Sequence, residues 1–111
     1  MSNSYSKEFK RSAVDLLLSI IQRANPQKSI KYYQFFQKNL GISDEEFELF
    51  EQQNRLNQLE NRDIICRELG NNNHKIMQFL MMLNRCIIID GCELKSYQRF
   101  EEVRDSFIEK F

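Results

Sequence analysis

The chain has 111 residues, 41% of them apolar, with sixteen basic and sixteen acidic side chains. That length makes one domain, residues 1–111, able to bury about two-thirds of its unfolded surface without metals or disulfides. One proline and three glycines are too few for a turn-rich β-sandwich or a long linker, and zero net charge gives no field that would draw in nucleic acid or an anionic membrane.

At the start, Met1-Ser2-Asn3-Ser4 leads into charged residues where a secretory peptide needs an apolar stretch, so a cytoplasmic protein is expected. Apolar residues then fall at Phe9, Ala13, Leu16, Leu17, Ile20, Ile21 and Ala24. That recurrence is a helix with one buried stripe, running from about Tyr5 to Ala24. Pro26 forces its end near Asn25, because the residue before proline is pushed out of the α region; proline suits the first turn of a second helix, which reaches about Leu40.

Gly41 stands where a left-handed C-terminal cap is needed, and Ser43 followed by Glu46 spells a capping box. A short third helix follows, to about Gln53, with Asp44, Glu45 and Glu46 at its positive end and Phe47 and Phe50 on its buried side. From Gln52 to Asn61 polarity is high, and Leu56 and Leu59 are the apolar anchors of an irregular or weakly helical connection. The fourth helix is expected from about Arg62 to Leu69. Gly70 and Asn71-Asn72-Asn73 break the chain, since these residues tolerate left-handed backbone.

A fifth helix, from about His74 to Ile89, is apolar over most of its circumference. Ile76, Phe79, Leu80, Leu83, Cys86 and Ile87 make its main stripe, widened by Met77, Met81, Met82, Ile88 and Ile89. It is expected to be the central, most buried element. Its most apolar segment is too short for a bilayer and is interrupted by Asn84 and Arg85, so no transmembrane segment is expected. After Gly91 a last helix carries Tyr97, Phe100, Val103, Phe107, Ile108 and Phe111 at helical spacing. The fold class is therefore all-α, a single-domain bundle of five to six helices.

Two segments share the pattern K-x-Y-Q-x-F: Lys31-Tyr32-Tyr33-Gln34-Phe35-Phe36 and Lys95-Ser96-Tyr97-Gln98-Arg99-Phe100. Each follows a long apolar helix and a corner, Asn25-Pro26 or Asp90-Gly91. The chain reads as two pseudo-repeated helix-corner-helix units with two helices between them.

This arrangement, with Ile88-Ile89-Asp90-Gly91 and Leu94, Ala24-Asn25-Pro26 and the turn Leu40-Gly41-Ile42-Ser43, resembles the TerB-like family, named after a tellurite-resistance protein. The family is all-helical, and an Ala-Asp-Gly corner ends its apolar helix. The resemblance spans nearly the whole chain and implies a bacterial protein associated with stress-response or envelope-linked systems. It also implies an acidic, ion-binding corner. Here Asn25 replaces the first corner aspartate, and Tyr97 or Gln98 stands where a glutamate follows Asp90.

The remaining constellations sort by chemistry. Asp90 and Glu93 flank Gly91 and are the candidate ligands of a divalent cation, although a helix stop followed by an acid at the next helix's positive end explains them as well. Cys66, Cys86 and Cys92 cannot all pair, and with His74 they show no C-x-x-C zinc spacing; Cys66 and Cys86 sit in apolar stretches, while Cys92 is the thiol expected to react with solvent reagents. His74 is the sole candidate base, placed where an exposed residue is expected, and neither a nucleophile elbow nor a phosphate loop accompanies it, so no enzyme and no cofactor are expected. The acidic run Asp44, Glu45, Glu46, Glu48 and Glu51 reads as a solvated face. Tyr32, Tyr33, Phe35 and Phe36 cover more of a helix than one core-facing stripe requires. They are the candidate partner-binding residues of a non-enzymatic interaction module that docks a protein or forms a homodimer. The alternative is a small ion-binding or ion-sensing protein using Asp90 and Glu93.

Overall fold

The computed structural model describes residues 5–21, 29–53, 56–89 and 94–109, with residues 29–33 described by their backbone alone. Six α-helices follow one another: α1 (Lys7–Ile21), α2 (Ser29–Leu40), α3 (Asp44–Gln52), α4 (Gln58–Glu68), α5 (Asn73–Ile89) and α6 (Leu94–Glu109). Among the described residues there is no strand, and no helix is long and apolar enough to cross a membrane. The Asn25-Pro26 and Asp90-Gly91 corners lie outside the described residues.

Local chemistry sets the helix ends. Gly41, at φ 66°, ends α2 in the left-handed region that costs glycine nothing, and the Ile42 amide donates back to the Gln37 carbonyl at 3.0 Å. Two residues later the Ser43–Glu46 capping box forms as expected. The Glu46 amide donates to Ser43 Oγ, and the Ser43 amide to Glu46 Oε1, both at 3.1 Å. At the end of α4, Gly70 (φ 66°) and Asn71 (φ 54°) both turn left-handed. Their amides return to the Arg67 and Cys66 carbonyls at 3.2 and 2.9 Å, and Asn72 Oδ1 then accepts from the Lys75 amide to start α5.

The fourth helix begins four residues earlier than the polarity of its sequence predicts. Asn57 caps it, its Oδ1 accepting the Glu60 amide at 2.8 Å, so a strong cap carries the helix through Gln58, Leu59 and Glu60 where no apolar stripe marks it.

Buried apolar side chains from all six helices form one core, yet its centre is not where the sequence places it. Helix α1 packs against α3, α4 and α6, whereas α5 packs against α2 and α6. Nine of the fifteen α1 residues are buried. In α5 the main stripe is buried as expected, but Met77, Met81, Ile88 and Ile89 are exposed. Helix α1, not α5, is the central element, because small and branched residues such as Ala13 and Val14 let neighbours close on more than one side of it.

Polar clamps hold α1 in that position. The Asp15 carboxylate, 3% exposed, accepts the Leu56 amide at 2.7 Å and Asn61 Nδ2 at 3.0 Å, tying the α3–α4 connection to the core. Ser6 Oγ caps α1 by accepting the Phe9 amide. Arg99 Nε on α6 donates to the Ile20 carbonyl at 2.6 Å, satisfying the other end of α1.

Candidate functional site

The residues singled out by sequence separate into three groups. Phe36 is fully buried and belongs to the core, so it is unavailable to a partner; its counterpart in the second K-x-Y-Q-x-F segment, Phe100, is buried as well. Phe35 is half-buried and packs against the core edge. The side chains of Tyr32 and Tyr33, together with Asp90, Cys92 and Glu93, lie outside the described residues.

Cys66 and Cys86 are buried thiols. Burial raises the Cys86 pKa from 9.0 to about 12, because an apolar surround disfavours the thiolate. His74 is exposed at the start of α5. Among the described residues no three histidine, cysteine or acidic side chains group as metal ligands, and the acidic face of α3 is exposed except where Glu46 closes its capping box. Donation from Ser43 and then the charge of Lys10, 3.6 Å away, hold the Glu46 carboxyl below its usual range.

A groove of about 1130 Å³ lies between the C-terminal half of α2 and the outer side of α5, reaching the start of α1 and the end of α4. Aromatic rings stiffen its floor. Tyr5 stacks on Phe9 with centroids 4.5 Å apart, and Phe9 meets Phe79 edge-on at 5.8 Å. Phe35 and Met82 continue the floor, and Met81, 60% exposed, stands at its margin. The rim carries Lys38 from α2, Lys75 and Arg85 from α5, and Glu68 from α4.

These rim charges are not equivalent. Glu68 is engaged within the chain, its two oxygens accepting the Ser6 amide and the Ser6 hydroxyl at 3.0 Å each, at the positive end of α1. Among the described residues the side chains of Lys38, Lys75 and Arg85 make no ion pair or hydrogen bond, and all three are exposed.

A second, smaller cleft of about 290 Å³ lies between the start of α5 and the end of α6, lined by Asn73, Ile76, Met77, Leu80, Phe107 and Ile108. It is almost wholly apolar. Met77, Met81 and Ile88 recur at four and seven residues along α5, so they form one stripe beside the buried one.

Of the candidate partner-binding residues read from the sequence, Phe35 lines the groove between α2 and α5. The sequence reading missed the groove because Met81, Met82 and Phe79 look alike as members of an apolar helix, and only packing tells which of them faces outward. The unmatched charges of Lys75 and Arg85 within that helix were the available signal. Comparison with known proteins finds no family model, no curated protein and no solved structure that matches this chain.

Proposed function

We propose that this chain is a non-enzymatic helical protein-interaction module, TerB-like in layout, whose docking surface is the groove between α2 and α5. One observation carries the reading: a groove lined by the half-buried Tyr5, Phe35 and Met82 over the buried Phe9 and Phe79 lies beside an exposed methionine stripe. Methionine and aromatic residues concentrate where proteins meet, since thioether chains adapt to a partner and rings fill its pockets. A non-catalytic role is supported by the exposure of the one histidine and by the burial that keeps Cys86 protonated.

Two features favour the pseudo-repeat of the TerB-like reading. A rotation exchanging α1–α2 with α5–α6 would carry the α1–α6 packing onto the α5–α2 packing, and both packings occur. Phe36 and Phe100, equivalent in the repeat, are both core residues. On this reading the protein works in the bacterial cytoplasm beside stress-response or envelope-linked systems, docking another protein or a second copy of itself.

A photo-crosslinking amino acid placed at Gln78, exposed on the groove wall, tests the docking surface in the source cells. An adduct is expected from this position and not from Gln98, exposed on α6. Twice the chain mass identifies a homodimer, and another mass a different protein. Equal yields from the two positions, or none from Gln78, overturn the reading.

A further inference from the structure

We infer that the groove takes an acidic amphipathic helix of a partner protein, its apolar stripe on the aromatic floor and its carboxylates between Lys38, Lys75 and Arg85. This rests on the docking reading above and adds the chemistry of the occupant. Electrostatics selects the sign. The rim holds three cations and one anion, and that anion, Glu68, is already satisfied by two Ser6 donors. The three cations have no partner among the described residues, so they are exposed charges facing a concave apolar surface. An acidic ligand gains attraction there without breaking an ion pair among the described residues, whereas a basic one meets three like charges.

Geometry selects a helix. Lys75 and Arg85 lie ten positions apart on α5, about 15 Å along its axis, and Lys38 faces them from α2 across the floor. A helix laid along this trough presents apolar side chains at i, i+3 or i+4, and i+7 to the floor, with acids flanking that stripe over three turns. The concavity sets this site apart from a flat membrane-binding face, where an apolar ridge inserts between headgroups.

Two designed fifteen-residue helical peptides test the inference, both carrying leucines at i, i+4, i+7 and i+11, one with glutamates on the flanks and the other with lysines. They are titrated into the ¹⁵N-labelled full chain, following the amides of Lys38, Lys75, Met81 and Arg85. The glutamate peptide is expected to bind at least tenfold more tightly in about 0.05 M salt. This preference should shrink in about 0.5 M salt, as screening shortens the reach of exposed charges. The double variant K75E/R85E, both sites being exposed, should keep the wild-type circular dichroism spectrum and reverse the preference. M81S should weaken both peptides alike, and K95E on α6 should change nothing.

Equal binding of the two peptides, or a preference for lysine, overturns the acidic-helix inference while leaving a docking groove. If neither peptide shifts the groove amides, the inference falls and the Gln78 crosslink decides the docking reading separately. Tighter capture by phosphatidylglycerol vesicles than by the glutamate peptide also overturns it, assigning the cationic rim to a lipid surface. So does a concentration-dependent dimer that K75E/R85E abolishes, since the occupant is then a second copy.

Discussion

Helices α1 and α5 look interchangeable in sequence: each carries a long apolar stripe and stands first in a helix-corner-helix unit. In the fold they differ. Helix α1 is enclosed by three neighbours and held by side chains along its length: Ser6 with Glu68, Lys10 with Glu46, Asp15 with Leu56 and Asn61, and Arg99 with Ile20. No α5 side chain makes a hydrogen bond or ion pair among the described residues, and several of its apolar side chains are exposed. The difference teaches that polar anchors, more than apolar content, mark which helix is the centre of this bundle. Apolar surface beyond one stripe is what α5 leaves exposed.

The sharpest break between the two helices lies in truncation. Phe9→Ala in α1 removes a fully buried ring that stacks on Tyr5 and meets Phe79, and it should destabilise the protein by about 3–5 kcal/mol in urea unfolding. Leu17→Ala should cost about 2–5 kcal/mol. Met81→Ala in α5 should stay within about 0.5 kcal/mol, as surface changes do. A Met81 variant as damaging as Leu17→Ala would erase the contrast and place the methionine stripe in the core.

Next in size is Asp15→Ala, which should cost about 2–3 kcal/mol because the Leu56 amide and Asn61 Nδ2 lose a charged acceptor in a buried place. Asp15→Asn keeps the volume and one oxygen, so it should recover part of that loss. An Asp15→Ala protein as stable as wild type would show that the α3–α4 connection does not depend on this clamp.

These two effects also mark how far the sequence could be read. The stripes of α1, α5 and α6, the Ser43–Glu46 box and the glycine stops were legible because they depend on residues at most four positions apart. The clamp was not: Asp15 and Asn61 are separated by 46 positions, and an aspartate inside an apolar run reads as solvent-facing until its partners are known. The acceptor that caps α4, Asn57, lies within reach of pattern reading, but the missing apolar stripe outweighed it. For the candidate site, aromatic crowding on α2 pointed to a helix that lines the groove through Phe35 and, with Phe36, to its core-facing side. Four rings in five residues show that a helix has more aromatic surface than one neighbour can cover, without showing which ring is left over.

Burial separates both described cysteines, Cys66 on α4 and Cys86 on α5, from solvent. Cys66 and Cys86 should react with an aromatic disulfide reagent at the rate of unfolding rather than at the rate of an exposed thiol. For Cys86 the folded pKa lies above the unfolded one, so its contribution to stability is fully present below pH 9 and declines as pH rises from 9 toward 12. Equilibrium unfolding measured at pH 8 and pH 10 should therefore show lower stability at the higher value. Rapid labelling of Cys86 in the native protein at pH 8 would contradict its burial.

The smallest expected effect tests the anchoring of α1 through α3. Ser43→Ala removes the cap acceptor of α3 and should cost about 1 kcal/mol at neutral pH. Glu46 has its folded pKa lowered by Ser43 first and then by Lys10 on α1, so the stability it contributes is present above its ordinary value of 4.5 and is lost as pH falls through the lower folded value. Ser43→Ala keeps the backbone amide that donates to Glu46 Oε1, so it should leave most of this portion of the acid limb between neutral pH and pH 3 in place. Lys10→Met, which leaves the cap intact, should flatten that limb more than Ser43→Ala does, with little loss at the helix end. If the acid limb is unchanged in Lys10→Met, the capping box is a local feature of α3, and the anchors that distinguish α1 from α5 reduce to Asp15, Arg99 and Ser6.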